Sequence, residues 1–469
     1  MEEKMKKYFM LALIILFTGL FNYANDNSGK IITYKMIKSF EKNTKITPQF
    51  KALMNALKNK QFKEIFLNRE VLRNHNTNYT YEIKTPEITN QKRTGRCWLY
   101  AALNTVRPYI AKKLNMKDFK FSTSFLFFWD KMEKANYFLE KAISEAGVDI
   151  RAIKYQNLLS YPVSDGGYWQ SAVNLVKKYG AAPASAMPEV NSDENSSTMV
   201  RNITYVIRNY AYELKMLKKR GKILKGLREK KIEYLKNIYI MLVLHLGEPV
   251  KSFPFRYYKI DKNGKKELTP YIIYTPKEFA KEFINNTLNN FVMFANWPSR
   301  EYNKLYKWED SSNLIEGMPL TFINLPMKEI KPMMIESIKN GVAINFSADV
   351  GKQLDRKRGI MNSELYKYDD VYGVRFNRDK ARNSLIKNIN STHAMVFIGL
   401  DIKDGKPLKW KVENSWGSKT GEKGFYAMYD NWVNLYMVRV VINKKFIPEK
   451  YIKILKTTPV IIPEIEPEQ

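Results

Sequence analysis

The first apolar run, residues 8–21, follows Lys4, Lys6 and Lys7 and gives way to the polar "NYANDNSGK". Basic residues followed by a short apolar stretch are the layout of an export leader, and the run is too short to span a bilayer comfortably as a mature helix. The expectation is a leader over residues 1–24, cut after Ala24, and an exported protein. An uncleaved anchor is the alternative, because Asn22, third back from the cut, is larger than such sites prefer. Beyond it, "ITYKMIKSFEKNTKITPQFKALMNALKN" and "FKEIFLNRE" carry helical periodicity. Residues 71–90 are polar and extended, and Pro86 excludes a helix through them. Leu99, Ala102, Leu103, Val106 and Ile110 recur at helical spacing, and Pro108 inside the pattern predicts a bend or the start of a second helix. "STSFLFFWDKMEKANYFLEKAISEAG" reads as an amphipathic helix capped from residues 122–124. "SDGGYWQSAVNLVKKYGAAPASAMPE" gives a glycine-rich loop, a helix, and a Gly-then-Pro stop.

Residues 191–250 are Lys-rich and helical, like an inserted segment with one charged face, and residues 251–325 are mixed and rich in Tyr, Phe and Pro. The last third changes to short β-rich runs, "GVAINFSADV", "HAMVFIGLDI", "LKWKVENSW", "GFYAMYD" and "MVRVVINKKF", split by Gly and Asp turns. Helices early and strands late predict an α+β fold of two lobes with a cleft between them. The chain shows no internal repeat, and no later segment has the uninterrupted apolar length to span a membrane.

Composition supports a packed core: 45% of residues are hydrophobic, among them 25 Phe and 30 Tyr. The net charge of +31 suits nucleic acid, an anionic surface or acidic peptides. The excess is mostly Lys spread along the whole chain, which reads first as solvated surface. A nucleic-acid partner finds no zinc finger, basic zipper or aromatic RNA motif in support. Export normally favours disulfides, yet Cys97 is the only cysteine, so it is a buried filler, an intermolecular link or a reactive thiol.

Only three histidines are available to activate it. His75 lies in a polar run, a surface loop by composition. His245 lies in the apolar helix "MLVLHLGEP" and reads as a satisfied structural residue. His393 opens a strand, and "KDGK" at 403–406 is a turn signal. Folding residues 393–414 into a hairpin about that turn brings His393 within a residue or two of being opposite Asn414, an imidazole beside a carboxamide. Asn414 can orient one ring nitrogen and leave the other facing out. Cys97 enters a helix from Thr94-Gly95-Arg96, where free N–H groups, the helix dipole and the Arg96 charge are each expected to lower a thiol pKa. An acyl transfer from such a site needs oxyanion donors, for which the Cys97 N–H and Gln91 are candidates. Three scattered histidines argue against a metallohydrolase, and no metal or cofactor is expected.

"QKRTGRCW", "THAMVFIGL" and "KVENSWG" resemble the active-site blocks of papain-like cysteine peptidases. Together with "DGGYWQSAVNLVKKYG", "LGEPVKSF", "DVGKQLDRKRGIM" and "VVINKKFIPEKY", they resemble the bleomycin hydrolase or aminopeptidase C branch from about residue 33 onward. The resemblance implies a papain-like two-lobe fold with a helical insertion and a C-terminal arm. Its segments would be an N-terminal helical lobe over 25–190, an insertion over 191–330, a β-rich lobe over 331–446 and the arm over 447–469. It implies Cys97 as nucleophile, His393 as base and acid, Asn414 as orienter and Gln91 as oxyanion donor, with Trp416 shielding the His–Asn bond. Gly166, Gly167, Trp416 and the Gln469 carboxylate would meet peptide substrates. It further implies a homohexamer with sites facing an internal channel and a broad-specificity aminopeptidase whose arm blocks one side of the nucleophile. Two departures are the leader and the acidic ending "TPVIIPEIEPEQ", which is expected to relax amino-end selectivity or to set Glu466 and Glu468 in the carboxylate's place. An endopeptidase or an aminoacyl transferase would use the same site chemistry.

Overall fold

The chain divides into two compact units, Met1–Leu67 and Asn68–Gln469. The computed structural model describes residues 30–59, 62–260, 264–285 and 287–463. The predicted leader, Glu466, Glu468 and Gln469 fall outside the described residues. In the first unit, helices Tyr34–Asn43, Pro48–Asn59 and Phe62–Phe66 form where the periodicity predicts them. The Thr33 hydroxyl caps the first, accepting from the Met36 N–H at 3.2 Å.

In the second unit helix α1 (Cys97–Leu114) buries thirteen of its eighteen residues. It is a central helix, and burial on all sides explains why its apolar positions do not stop at one stripe. One helix runs through Pro108, so the expected second start there is not found. The proline costs one backbone bond, while Val106, Ile110 and Leu114 are buried on both sides of it. Helix α2 (Thr123–Ser144) starts where Ser122 Oγ accepts from the Phe125 N–H at 3.2 Å. Helix α3 (Trp169–Tyr179) stops at Gly180, φ +84°, where a Cβ would lie 2.2 Å from the Pro276 carbonyl oxygen. Both the left-handed turn and the close approach demand glycine. Helices α4 (Ser197–Lys219) and α5 (Leu224–Leu246) bury Ile203, Ile207 and Leu242 with Phe127, Phe138 and Leu139 of α2.

The strands follow as β1 (Phe291–Ala295), β2 (Lys304–Trp308), β3 (Thr321–Asn324), β4 (Ile344–Ala348), β5 (His393–Lys403), β6 (Lys406–Glu413), β7 (Phe425–Tyr429), β8 (Met437–Asn443) and β9 (Val460–Ile462). They pair in the order β7-β6-β5-β4-β8-β1-β3-β2-β9, with short strands at Leu354–Asp355 and Ile360–Met361 beyond β7 and Tyr81–Glu82 pairing onto β5. Apart from Tyr81–Glu82, the strands of this sheet start at Phe291, ahead of residue 330. Strand β1 is buried almost throughout, so it lacks the alternation that marks a half-exposed strand. The β5–β6 turn is the one its Asp-Gly signal predicts, with φ 51° at Asp404 and 73° at Gly405. Along β5, Val396 and Ile398 join the core that holds α1, while Met395 and Phe397 face the other core with Ile330 and Met334 of helix Met327–Lys339. Helix α1 thus lies on one face of the hairpin that carries His393. Among the described residues no helix is long and apolar enough to cross a membrane.

Candidate active site

Cys97 is the first residue of α1, and its sulfur receives the backbone N–H groups of Ala394, Trp98 and Cys97 itself. Ala394 follows His393, so the start of α1 meets the start of β5 at the sulfur. Two glycines permit the approach. A Cβ on Gly95 would lie 2.6 Å from the Asp165 Cβ, and one on Gly167 would lie 2.6 Å from the Trp98 Cε2. The 165–167 loop is fixed by Gly95 N–H donating to Asp165 Oδ2 at 3.1 Å, Trp98 Nε1 donating to Asp165 O at 2.7 Å and Lys134 Nζ donating to Gly166 O at 2.6 Å. A Cβ on Gly166 would meet nothing within 4 Å.

The ring assignment of His393 follows from its partner. Ser415 N–H donates to Asn414 Oδ1 at 2.7 Å, which identifies that atom as the oxygen. His393 Nε2 lies 2.9 Å from the same oxygen, which can only accept. The ring proton is therefore on Nε2, and Nδ1 is left bare to take a proton. Trp416 stacks on the imidazole at 4.7 Å between centroids, tilted by 25°. Both His393 and Asn414 are buried, and among the described residues the Asn414 Nδ2 has no hydrogen-bond partner. Strand pairing ends at Val396 and Glu413, so the two side chains meet just beyond the last paired residues; two register irregularities along β5–β6 offset each other.

Burial decides the charge state. It pushes the Cys97 thiol above its ordinary 9.0, with Asp165 adding to the rise and the three N–H groups opposing it. Burial also pulls His393 down to about 4, with Asn414 opposing and the Arg356 charge assisting. This corrects the expectation of a thiol lowered by Arg96. The Arg96 guanidinium is wholly buried and turned to Asp193, 2.9 Å from its Oδ1, and to Glu189 at 3.6 Å.

Gln91 is buried and held at both ends of its amide. Nε2 donates to Thr94 O at 2.7 Å, and Oε1 accepts from Ser415 Oγ at 2.6 Å. Asn90 bridges to Trp416, and Gly417 N–H donates to Thr89 O at 3.0 Å, so the loop before Cys97 is stitched to the residues after Asn414. One Gln91 amide proton remains beyond the bond to Thr94. A cavity of about 560 Å³ opens beside the sulfur, lined by Cys97, His393, Gly166, Gly167, Asn345 and Arg439 among others. Asn414, Gln91 and Trp416 lie outside its lining. His245 accepts or donates at Ser192 Oγ, 3.0 Å away, and lies far in sequence from the site. His75 is half-buried rather than a free surface residue, with Nδ1 3.2 Å from the Tyr429 hydroxyl.

Asp165, Glu413 and Arg356 lie inside the quoted blocks and Asp193 outside them, yet sequence reasoning gave none of the four a role, because each acts across a large chain separation.

The peptidase C1-like family matches residues 31–467. Aminopeptidase C of Lactobacillus delbrueckii subsp. lactis is 34% identical over 423 residues, 90% of this chain and 93% of that protein. Aminopeptidase C of Listeria monocytogenes is 34% identical over 391 residues, 83% of this chain and 87% of its own. Among solved structures, PepW from Lactobacillus rhamnosis is 33% identical with a TM-score of 0.89, covering 93% of this chain and 98% of that one. The sulfur at a helix start, the imidazole at a strand start and the papain-like α+β frame are what such a family requires, and the chain belongs to the peptidase C1-like family.

Proposed function

We propose that the protein is a thiol-dependent aminopeptidase of broad specificity that works through a covalent acyl-enzyme on Cys97. The observation that carries this reading is the fixed tautomer: Nε2 gives its proton to Asn414, and Nδ1 is bare. His393 Nδ1 takes the thiol proton as the sulfur attacks the peptide carbonyl carbon. The C=O electrons move to oxygen, and the Cys97 N–H and the second Gln91 amide proton stabilise that oxyanion. The C–N bond then breaks, and the Nδ1 proton passes to the leaving amine. Water, deprotonated by the same nitrogen, releases the acyl group. Asn414 and Trp416 hold the ring in one orientation throughout. The names of the Lactobacillus and Listeria relatives, each an aminopeptidase C, support the same activity here.

The amino-end preference has its own support. Strand β9 pairs in parallel with β2, and Glu309 N–H donates to Ile462 O at 2.9 Å. The next residues, 310–313, line the cavity. Strand β9 thus ends beside residues that rim the cleft. The test is product masses from matched peptides, one with a free and one with an acetylated amino end. Release of single residues from the free peptide alone is expected. Internal cleavage of the acetylated peptide overturns the exopeptidase reading in favour of an endopeptidase, and transfer to an added amine favours an aminoacyl transferase.

Because the resting imidazole is neutral down to about pH 4, kcat/KM is expected to hold level through the mildly acid range. It falls only below that value, where His393 gains a proton and can no longer serve as base. An acid limb centred above pH 6 contradicts the charge state. Export by the leader and assembly into a homohexamer belong to the same reading. Exposed Ile31, Ile32, Tyr34 and Phe40 give the first unit apolar surface for assembly. Amino-terminal sequencing and light scattering of the purified protein read the two directly.

A further inference from the structure

We propose that Arg356 is a specificity-determining residue that receives a carboxylate on the leaving-group side of the scissile bond. The proposal rests on the acyl-enzyme reading above, and it adds what that reading leaves open: which chemistry the departing fragment prefers.

The side follows from the chemistry of the imidazole. His393 must hand its proton to the leaving nitrogen, so the departing fragment extends past the imidazole and away from the cavity that lodges the acyl part. That cavity is lined by Cys97 and His393 but not by Trp416 or Arg356. Trp416 lies against the imidazole at 4.7 Å, and the Arg356 guanidinium lies over the indole at 4.2 Å from its centroid. Tyr426 meets the indole edge-on at 5.8 Å. One indole therefore touches both the catalytic ring and an arginine.

The charge on Arg356 is uncommitted. It belongs to the turn Asp355-Arg356-Lys357-Arg358, whose one acid is already used. Asp355 Oδ1 accepts the Lys357 and Arg358 N–H groups at 3.0 Å each, and its Oδ2 pairs with the Arg358 guanidinium at 2.5 Å. Among the described residues no carboxylate lies within ion-pair distance of Arg356, and its residue is exposed. It is held by Tyr426, which interacts with its side chain and donates its hydroxyl to the Arg356 carbonyl at 3.4 Å, and by Gly421 N–H, which donates to the same carbonyl at 3.1 Å. Its field reaches the site, since it is one of the causes that keep His393 unprotonated. A guanidinium carries five N–H donors, so one that lies over an indole and bonds a hydroxyl still has donors for a carboxylate.

The carboxylate has two sources: an Asp or Glu side chain directly after the scissile bond, or the terminal carboxylate of a dipeptide. Three substrates separate them: Ala-Glu-amide, Ala-Gln-amide and Ala-Gln with a free carboxylate. Initial rates are compared for the wild type, Arg356→Met and Arg356→Lys at low and high salt. The wild type is expected to favour at least one carboxylate substrate over Ala-Gln-amide by about five-fold at low salt, the upper range for an exposed ion pair. Arg356→Met removes that preference, Arg356→Lys keeps part of it, and added salt weakens it only where the charge remains. A preference confined to Ala-Glu-amide assigns the side chain; one confined to Ala-Gln assigns the terminus. If Arg356→Met slows all three substrates equally, the arginine only supports the indole and the proposal is overturned, as it is if the ratios stay unchanged. Failure of the underlying reading looks different: turnover by the wild type that survives thiol alkylation.

Discussion

Cys97→Ser is expected to yield a folded protein whose peptide turnover is about 10⁴-fold or more below the wild type, the scale on which loss of a covalent nucleophile is felt. The swap changes one atom. The sulfur's neighbours are backbone N–H groups and the Gly95 carbonyl at 4.0 Å, all of which a hydroxyl can also meet. The fold should therefore remain, with unfolding midpoint and circular dichroism close to the wild type. Chemistry is lost because burial already works against ionising the thiol, and an alcohol is a far weaker acid. His393 with Nδ1 bare is a base matched to a thiol rather than to a hydroxyl. Alkylating the wild type must give the same loss, since Cys97 is the chain's only thiol. Turnover that survives both treatments removes Cys97 from the chemistry and leaves the buried imidazole without a task.

The hairpin that carries His393 could be read from the chain because its determinants are local. An Asp-Gly pair dictates a turn, and the turn dictates the register that sets an imidazole beside Asn414. The cap at Ser122 and the stop at Gly180 are local in the same way. Charge was not legible, because it is settled by partners far along the chain. Arg96, adjacent to the sulfur in sequence, is consumed by Asp193, 97 positions away. Arg96 is therefore not turned to the sulfur, and burial, a property of the whole fold, works against the N–H groups of the helix start. Strands β1 to β3 were hidden for a related reason. A strand covered on both faces carries no alternation, and Pro and Tyr nearby dilute its apolar signal.

Arg107→Ala is expected to lower folding stability by about 3–5 kcal/mol, the cost of leaving one member of a buried ion pair alone. Arg107 lies ten positions after Cys97 on α1, and Glu413 immediately precedes Asn414. Their side chains, 1% and 0% exposed, meet Nη2 to Oε1 at 2.6 Å. The pair thus ties the helix of the sulfur to the strand end of the orienting amide. It is an imperfect pair: among the described residues Arg107 Nε and Nη1 have no hydrogen-bond partners. Burial raises the Glu413 carboxyl to about 7, against the pull of Arg107 and a hydrogen bond from Thr85. A carboxyl raised on folding adds stability below its unfolded pKa, and that contribution fades as pH climbs through the folded value. Once Arg107 is gone, Glu413 escapes the penalty only by holding a proton. Denaturant titrations should therefore find Arg107→Ala nearer to the wild type at pH 5 than at pH 8. The double variant Arg107→Met with Glu413→Leu removes both charges and keeps most of the volume, so it should regain most of the lost stability. If it is as unstable as the single variant at both pH values, the cost lies in packing and not in the stranded charge. If it is stable but slow, the link between α1 and Asn414 needs the ion pair's geometry as well as its bulk.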